Sequence, residues 1–198
     1  MFRKFLAAGL IACAPFLAQA QEADHAIHEE LRAVLQTIEA SVNSGDYDKM
    51  LPVLSEKIRA TPINQEFLTS RPDVSAYFKK WFGQGGYLKK LEMHLTADSL
   101  TELSPDKTWG IVYGNGVEKY VLSDGRPYEM HTRWTATMAK EDDGHWRVRA
   151  IHIATNFLDN PILTQAEHAL EKVGAIAGAI GLVLGALLGW FFGRKKKL

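Results

Sequence analysis

Two histidines and an arginine, His131, Arg133 and His152, are the residues of this 198-residue chain whose types and spacing best suit chemistry. They stand in two alternating stretches joined by Asp143-Gly144, a pair that favours a hairpin turn. If residues 141–144 form a four-residue loop, Lys140 faces His145, Arg133 faces His152 and His131 faces Ala154 on one sheet face. That face also carries Thr135, Thr137, Ala139, Trp146, Val148 and Ala150. Imidazoles exchange protons near neutral pH and a guanidinium holds an anion, so one reading is a pocket that binds an anion or shuttles a proton. The other is an ordinary polar face, solvated or turned toward a second copy. A register slip of one residue disperses the group. His131 and His152 are the candidate acid/base pair, and Tyr77, Trp81 and Tyr113 join Arg133 as candidate ligand contacts.

Other constellations are weaker. His25-x-x-His28, followed by Glu29 and Glu30, has a spacing that lets two imidazoles share a metal, but these residues lie off the apolar stripe of their helix and read as a solvated face. Gly83-Gln84-Gly85-Gly86 lacks the preceding strand and following lysine of a phosphate loop and reads as a turn. Asp73 suits the first turn of a helix, where its charge complements the dipole. Glu92 and Glu118 alternate with apolar neighbours and read as outward-facing. No G-x-S-x-G, H-E-x-x-H or C-x-x-C occurs, and neither a metal nor a cofactor is implied.

The elements that must position these residues are legible from periodicity. From Ala23 to Asn43, Ile27, Leu31, Val34, Leu35, Ile38 and Val42 recur at the helical period, which predicts an amphipathic helix. Asn43-Ser44-Gly45 ends it, and Asp46 is placed to cap a shorter helix through Leu54. A brief strand near Lys57–Thr61 follows. Ser70, with Pro72 in the first turn, starts a third helix whose buried stripe is Val74, Tyr77, Phe78, Trp81 and Phe82. The period then becomes two, predicting strands near Lys90–Leu100, Thr108–Leu122, Pro127–Ala139 and His145–Phe157, with turns at Asp124-Gly125 and Asp143-Gly144. Helices followed by hairpin-linked strands imply an α+β fold with an antiparallel sheet.

This order of elements resembles the NTF2-like superfamily, SnoaL-like domains included. Asp143-Gly144-His145-Trp146-Arg147-Val148 is similar to the final hairpin of those domains. The resemblance covers about Ala23–Phe157 and rests mostly on the order of elements. It implies three N-terminal helices packed on a curved antiparallel sheet as a cone, with a pocket at the open end. Members include isomerases, dehydratases, ligand carriers and interaction modules, so it leaves the activity open. In isomerase-type members a carboxylate base and an acidic hydrogen-bond donor face each other across the pocket, and no Asp or Glu of this chain falls at a matching, clearly inward position.

The two ends read differently from the middle. Residues 1–20, with Arg3 and Lys4 before an apolar run and Ala18-Gln19-Ala20 at its end, have the layout of a secretory signal peptide. Leu10-Ile11-Ala12-Cys13 offers the competing reading of a lipidation site at Cys13, the single cysteine. Residues 21–162 form the NTF2-like domain in this reading, and Thr164-Gln165-Ala166-Glu167 is a capping box opening a juxtamembrane helix over 163–172. Residues 173–193 carry no charge, enough to span a bilayer, and Arg194–Lys197 follow as a basic tail over 194–198. Basic clusters prefer the cytoplasmic side, so a single-pass inner-membrane protein with its domain in the periplasm is expected. Gly181, Gly185, Gly189 and Gly193 lie four apart and form a smooth ridge suited to helix–helix packing, or reflect the general frequency of glycine in such helices. The segment resembles glycine-rich anchors of small bacterial inner-membrane proteins associated with ribosomes, over the anchor alone.

Formal charge is zero overall, but residues 21–170 hold 16 Lys and Arg against 22 Asp and Glu, a net of −6. An acidic middle excludes a general nucleic-acid binder, which needs clustered cations. The expected function is a membrane-tethered domain binding a small ligand or a protein partner without catalysis. An isomerase, dehydratase or hydrolase using His131, His152 and Arg133 is the alternative, and a homodimeric assembly protein the second.

Overall fold

A computed structural model describes residues 14–194, with side chains described over 24–192. Residues 1–13 of the expected leader, Cys13 included, and tail residues 195–198 lie outside the described residues. The chain divides into two compact units, one ending at Thr155 and the other beginning at Asn156.

The first unit contains α1 (Ala14–Ser44), a 3-10 helix (Tyr47–Val53), β1 (Leu54–Thr61), α2 (Arg71–Phe82), β2 (Leu88–Ala97), β3 (Glu102–Leu103), β4 (Trp109–Leu122), β5 (Pro127–Lys140) and β6 (Trp146–Thr155). Helix α1 buries Leu31, Val34 and Val42, with Ile27, Leu35 and Ile38 packed beside them, as its apolar period requires. Gly45, at φ +74°, turns the chain out of the helix in a conformation that costs glycine nothing. The expected second α-helix is a 3-10 helix instead. Asp46 makes no side-chain cap, and Pro52 inside the segment lacks the N–H that an α-helical ladder needs. One α-helix, not three, therefore lies before the sheet; the second expected helix is 3-10, and α2 follows β1 in the expected order of elements. Ser70 caps α2 by accepting from Asp73 N at 3.2 Å, while the Asp73 carboxylate accepts from Thr69 N at 2.9 Å.

The sheet runs β1-β6-β5-β4-β2, with β3 paired to β4. It is mixed: β1 pairs β6 in parallel, while the other pairs are antiparallel. The expectation of a wholly antiparallel sheet fails at β1, because a strand separated from its neighbour by most of the domain carries no local signal of its direction. Along β2, Asn43 of α1 bonds both the Met93 carbonyl (2.9 Å) and the Met93 N–H (2.7 Å), and Glu39 accepts from Leu95 N. Helix α1 thus occupies backbone groups that an edge strand would otherwise present to another chain.

The second unit holds α3 (Pro161–Arg194), the one described helix long and apolar enough to cross a membrane. It starts before the expected box at Thr164. The Asn160 side chain accepts from Leu163 N at 3.0 Å and Pro161 occupies the first helical position, where its missing N–H costs nothing.

Candidate functional site

Strand β4 reads Trp-Gly-Ile-Val-Tyr-Gly-Asn-Gly-Val-Glu-Lys-Tyr-Val-Leu. The odd positions carry Ile111, Tyr113, Val117 and Val121, which makes them look like the core face. The buried face is the even one: Gly110, Gly114, Gly116, Glu118 and Leu122. The glycines are there because neighbouring side chains and the backbones of β2 and β3 fill the space above them. A Cβ on Gly114 would sit 2.7 Å from the Trp134 ring, and one on Gly116 would sit 2.4 Å from Thr132 Oγ1.

Glu118 is consequently buried, 2% exposed, against the outward expectation. Thr132 on β5, also buried, donates to its Oε1 at 3.1 Å, and the Tyr120 hydroxyl donates to its Oε2. Burial pushes the Glu118 carboxyl above the usual range, opposed by the hydrogen bonds from Tyr120 and Thr132. The Tyr120 and Tyr77 hydroxyls are pushed far up, first by burial and then by nearby carboxylates. Glu118, Tyr120 and Tyr77 line a cavity of about 110 Å³, whose other walls come from α1, the 3-10 helix, α2, β1, β2 and β6. Ile58, Leu91, Met93 and Ile151 make it apolar, and the partly exposed Thr61, Pro62 and Ile63 form its outer wall. Tyr47 stacks on the lining residue Phe78 at 4.2 Å and holds the 3-10 helix to α2. Among the lining residues, Glu118 is the one with a formal charge, and neither lysine, arginine nor histidine is among them.

The expected cluster lies elsewhere. His131, 77% exposed, and Arg133, 55% exposed, stand with His152 on the outer face of the sheet. Arg133 pairs with Ala154, and His152 with Thr135, so the register differs by two residues from the expected one. The turn is one residue tighter, a three-residue loop closed by Glu141 N bonded to His145 O with Lys140 opposite Trp146, which shifts the register by one, and a bulge at Arg149 adds the second shift. The bulge also separates Trp146 and Val148, which are buried, from Ala150 and His152, which face outward. Arg133 is engaged by Asp98 (2.6 Å) and by Asn115 Oδ1 (2.8 Å). His131 lies 3.5 Å from Glu129, and Tyr113 donates to Glu102 at 3.3 Å. Trp81 donates to Glu66 at 2.7 Å and does not line the cavity. Of the six expected contacts, Tyr77 alone does. Sequence reasoning missed Glu118, Tyr120 and Thr132, and the one signal was the alternate glycines of β4. His25 and Glu29 form an exposed pair at 3.7 Å, and the described residues include no group of three or more metal-ligating side chains.

No protein-family model matches the chain, and no curated protein sequence matches it. Solved structures do. An NTF2-like superfamily protein from Salmonella enterica serovar Typhimurium shares 13% identity at TM-score 0.55, over 66% of this chain and 92% of that one. A ketosteroid isomerase-like protein from Erwinia carotovora atroseptica shares 10% at TM-score 0.54, over 66% and 94%. A domain of unknown function with a cystatin-like fold from Nostoc punctiforme shares 13% at TM-score 0.56, over 78% and 96%. At such identities the likeness establishes the NTF2-like fold and carries no chemistry.

Proposed function

We propose that this chain is a membrane-tethered ligand-binding protein whose NTF2-like domain takes a small, mostly apolar molecule into the cavity, anchored at Glu118 and Tyr120. The observation that carries this reading is the buried carboxyl itself. Burying an ionisable group in an apolar wall without an opposing charge costs several kcal/mol, and such groups cluster at functional sites. The cavity volume is of the order of the roughly 150 Å³ engineered cavity that admits benzene, so the ligand is about the size of one ring or a short branched chain. The tether is α3. The basic residues after it and the leader-like start favour an orientation with the domain outside the cytoplasm, in the periplasm of a two-membrane cell. Binding is preferred over catalysis by His131 and His152 because neither reaches this cavity.

The test is ligand-induced stabilisation of the purified full chain in detergent. Single-ring compounds should raise its unfolding temperature in proportion to the logarithm of concentration above Kd. Ile63→Trp, which fills the outer wall, should abolish the response while the protein stays folded. An equal response in that variant places the binding elsewhere and sinks the reading.

A further inference from the structure

We infer that the cavity is built for a small organic ammonium, whose charge is the counter-ion that Glu118 lacks. The inference rests on the cavity being a ligand site and adds the charge of the ligand.

Three observations converge. Both oxygens of Glu118 are met by hydroxyl groups, Thr132 on one and Tyr120 on the other, an arrangement that suits a carboxylate accepting two bonds. The positive partner that normally accompanies a buried carboxylate is missing from the lining, where neither lysine, arginine nor histidine occurs. The lining also includes four aromatic rings, Tyr120 beside Glu118 on β4 and Tyr77, Phe78 and Phe82 on α2, and aromatic rings attract alkylammonium groups when water is excluded. A carboxylate among aromatic rings complements a cation with an apolar body on every side. A neutral ligand of the same shape would leave the carboxyl without its charge partner, and an anion would be repelled.

Charge linkage follows. The titratable groups around Glu118 are Tyr120 on its own strand and Tyr77 from α2, with Glu66, from the loop before α2, acting on Tyr77. Burial pushes the carboxyl of the empty Glu118 above the usual range, and an arriving ammonium favours the ionised form, so that binding releases a proton wherever Glu118 is protonated. Affinity for the amine therefore rises with pH through the Glu118 titration, whereas a neutral isostere is indifferent.

The experiment is isothermal titration calorimetry of the full chain in detergent with benzylamine against benzyl alcohol, in buffers of different ionisation enthalpy. Benzylamine is expected to bind at least about tenfold tighter, the usual scale for a charge-assisted hydrogen bond, and to release protons below the Glu118 pKa. Glu118→Gln should abolish the preference. The wild-type comparison stands alone should that variant fold poorly. If benzyl alcohol binds as well as benzylamine, or no proton is released, the ammonium assignment is wrong while the ligand cavity survives. If neither compound binds, both this inference and the ligand-site reading fall.

Discussion

Thr132 stands opposite Gly116 across the β4–β5 pair, and its hydroxyl reaches diagonally to Glu118 at 3.1 Å. The reach exists because position 116 has no side chain: a Cβ there would lie 2.4 Å from Thr132 Oγ1 and 3.7 Å from Glu118 Oε1. Two strands thus share one buried polar contact, and a glycine makes room for it. That contact holds the carboxyl at the cavity wall.

Gly116→Ala is therefore expected to push Thr132 off its partner and destabilise the domain. Overpacking of this kind costs about 1–3 kcal/mol, with more added if Glu118 loses a donor. Chemical denaturation of the purified chain checks it. A variant as stable as the parent would mean that the two strands part easily at this point.

The stability of the domain should also depend on pH in a way that isolates Glu118. Its folded-state pKa is raised, so its favourable contribution is fully present below the ordinary carboxylate pKa and is lost as pH rises through the raised value. Asp73, Asp106, Asp124 and Asp143 act in the opposite sense, since hydrogen bonds hold them low and their contribution disappears on acidification. The difference between wild type and Glu118→Gln cancels those groups. The variant should gain relative stability from weakly acidic to neutral pH, and the gap should close in strong acid. A difference independent of pH would show that Glu118 titrates normally.

Helices α1 and α2 and the turns at Asp124-Gly125 and Asp143-Gly144 were legible in the sequence because their signals are local: apolar period, Ser70 before Pro72, glycines at φ +88° and +84°. What stayed hidden depends on distant partners. The parallel β1–β6 pair joins segments about ninety residues apart, and nothing near Leu54 or Trp146 announces its sense. The position of His152 depended on one residue in a turn and one in a bulge at Arg149, either of which moves a side chain across the sheet. Glu118 was misread because valines and a tyrosine on the odd face of β4 outweighed glycines on the even face. The glycines were the better guide, since a strand interior leaves side chains out where another group must come close.

The seal on β2 predicts an assembly phenotype. Asn43→Leu removes both side-chain bonds to Met93 and leaves its N–H and carbonyl to solvent. The loss should be about 1–3 kcal/mol, the usual net worth of two lost hydrogen bonds, accompanied by larger species in size-exclusion chromatography as the exposed edge pairs. A variant that is less stable but runs at the parent's size would confine the role of Asn43 to stability.

The tether gives a simple expectation of its own. A chain ending at Asn160 lacks all of α3 and should leave the membrane fraction, while the full chain should resist alkaline extraction. Full-length protein released by alkaline carbonate would argue for a peripheral association.

The central claim is that the Glu118 cavity holds the ligand, and the most direct test is to locate a bound molecule. Intermolecular nuclear Overhauser effects should be recorded between benzylamine and the full chain with labelled methyl and aromatic groups. Contacts to Met93, Ile151, Tyr77 and Tyr120 are predicted, all of them lining the cavity. Contacts confined to the outer sheet face around Arg133 and His152, or to α3, would contradict the account.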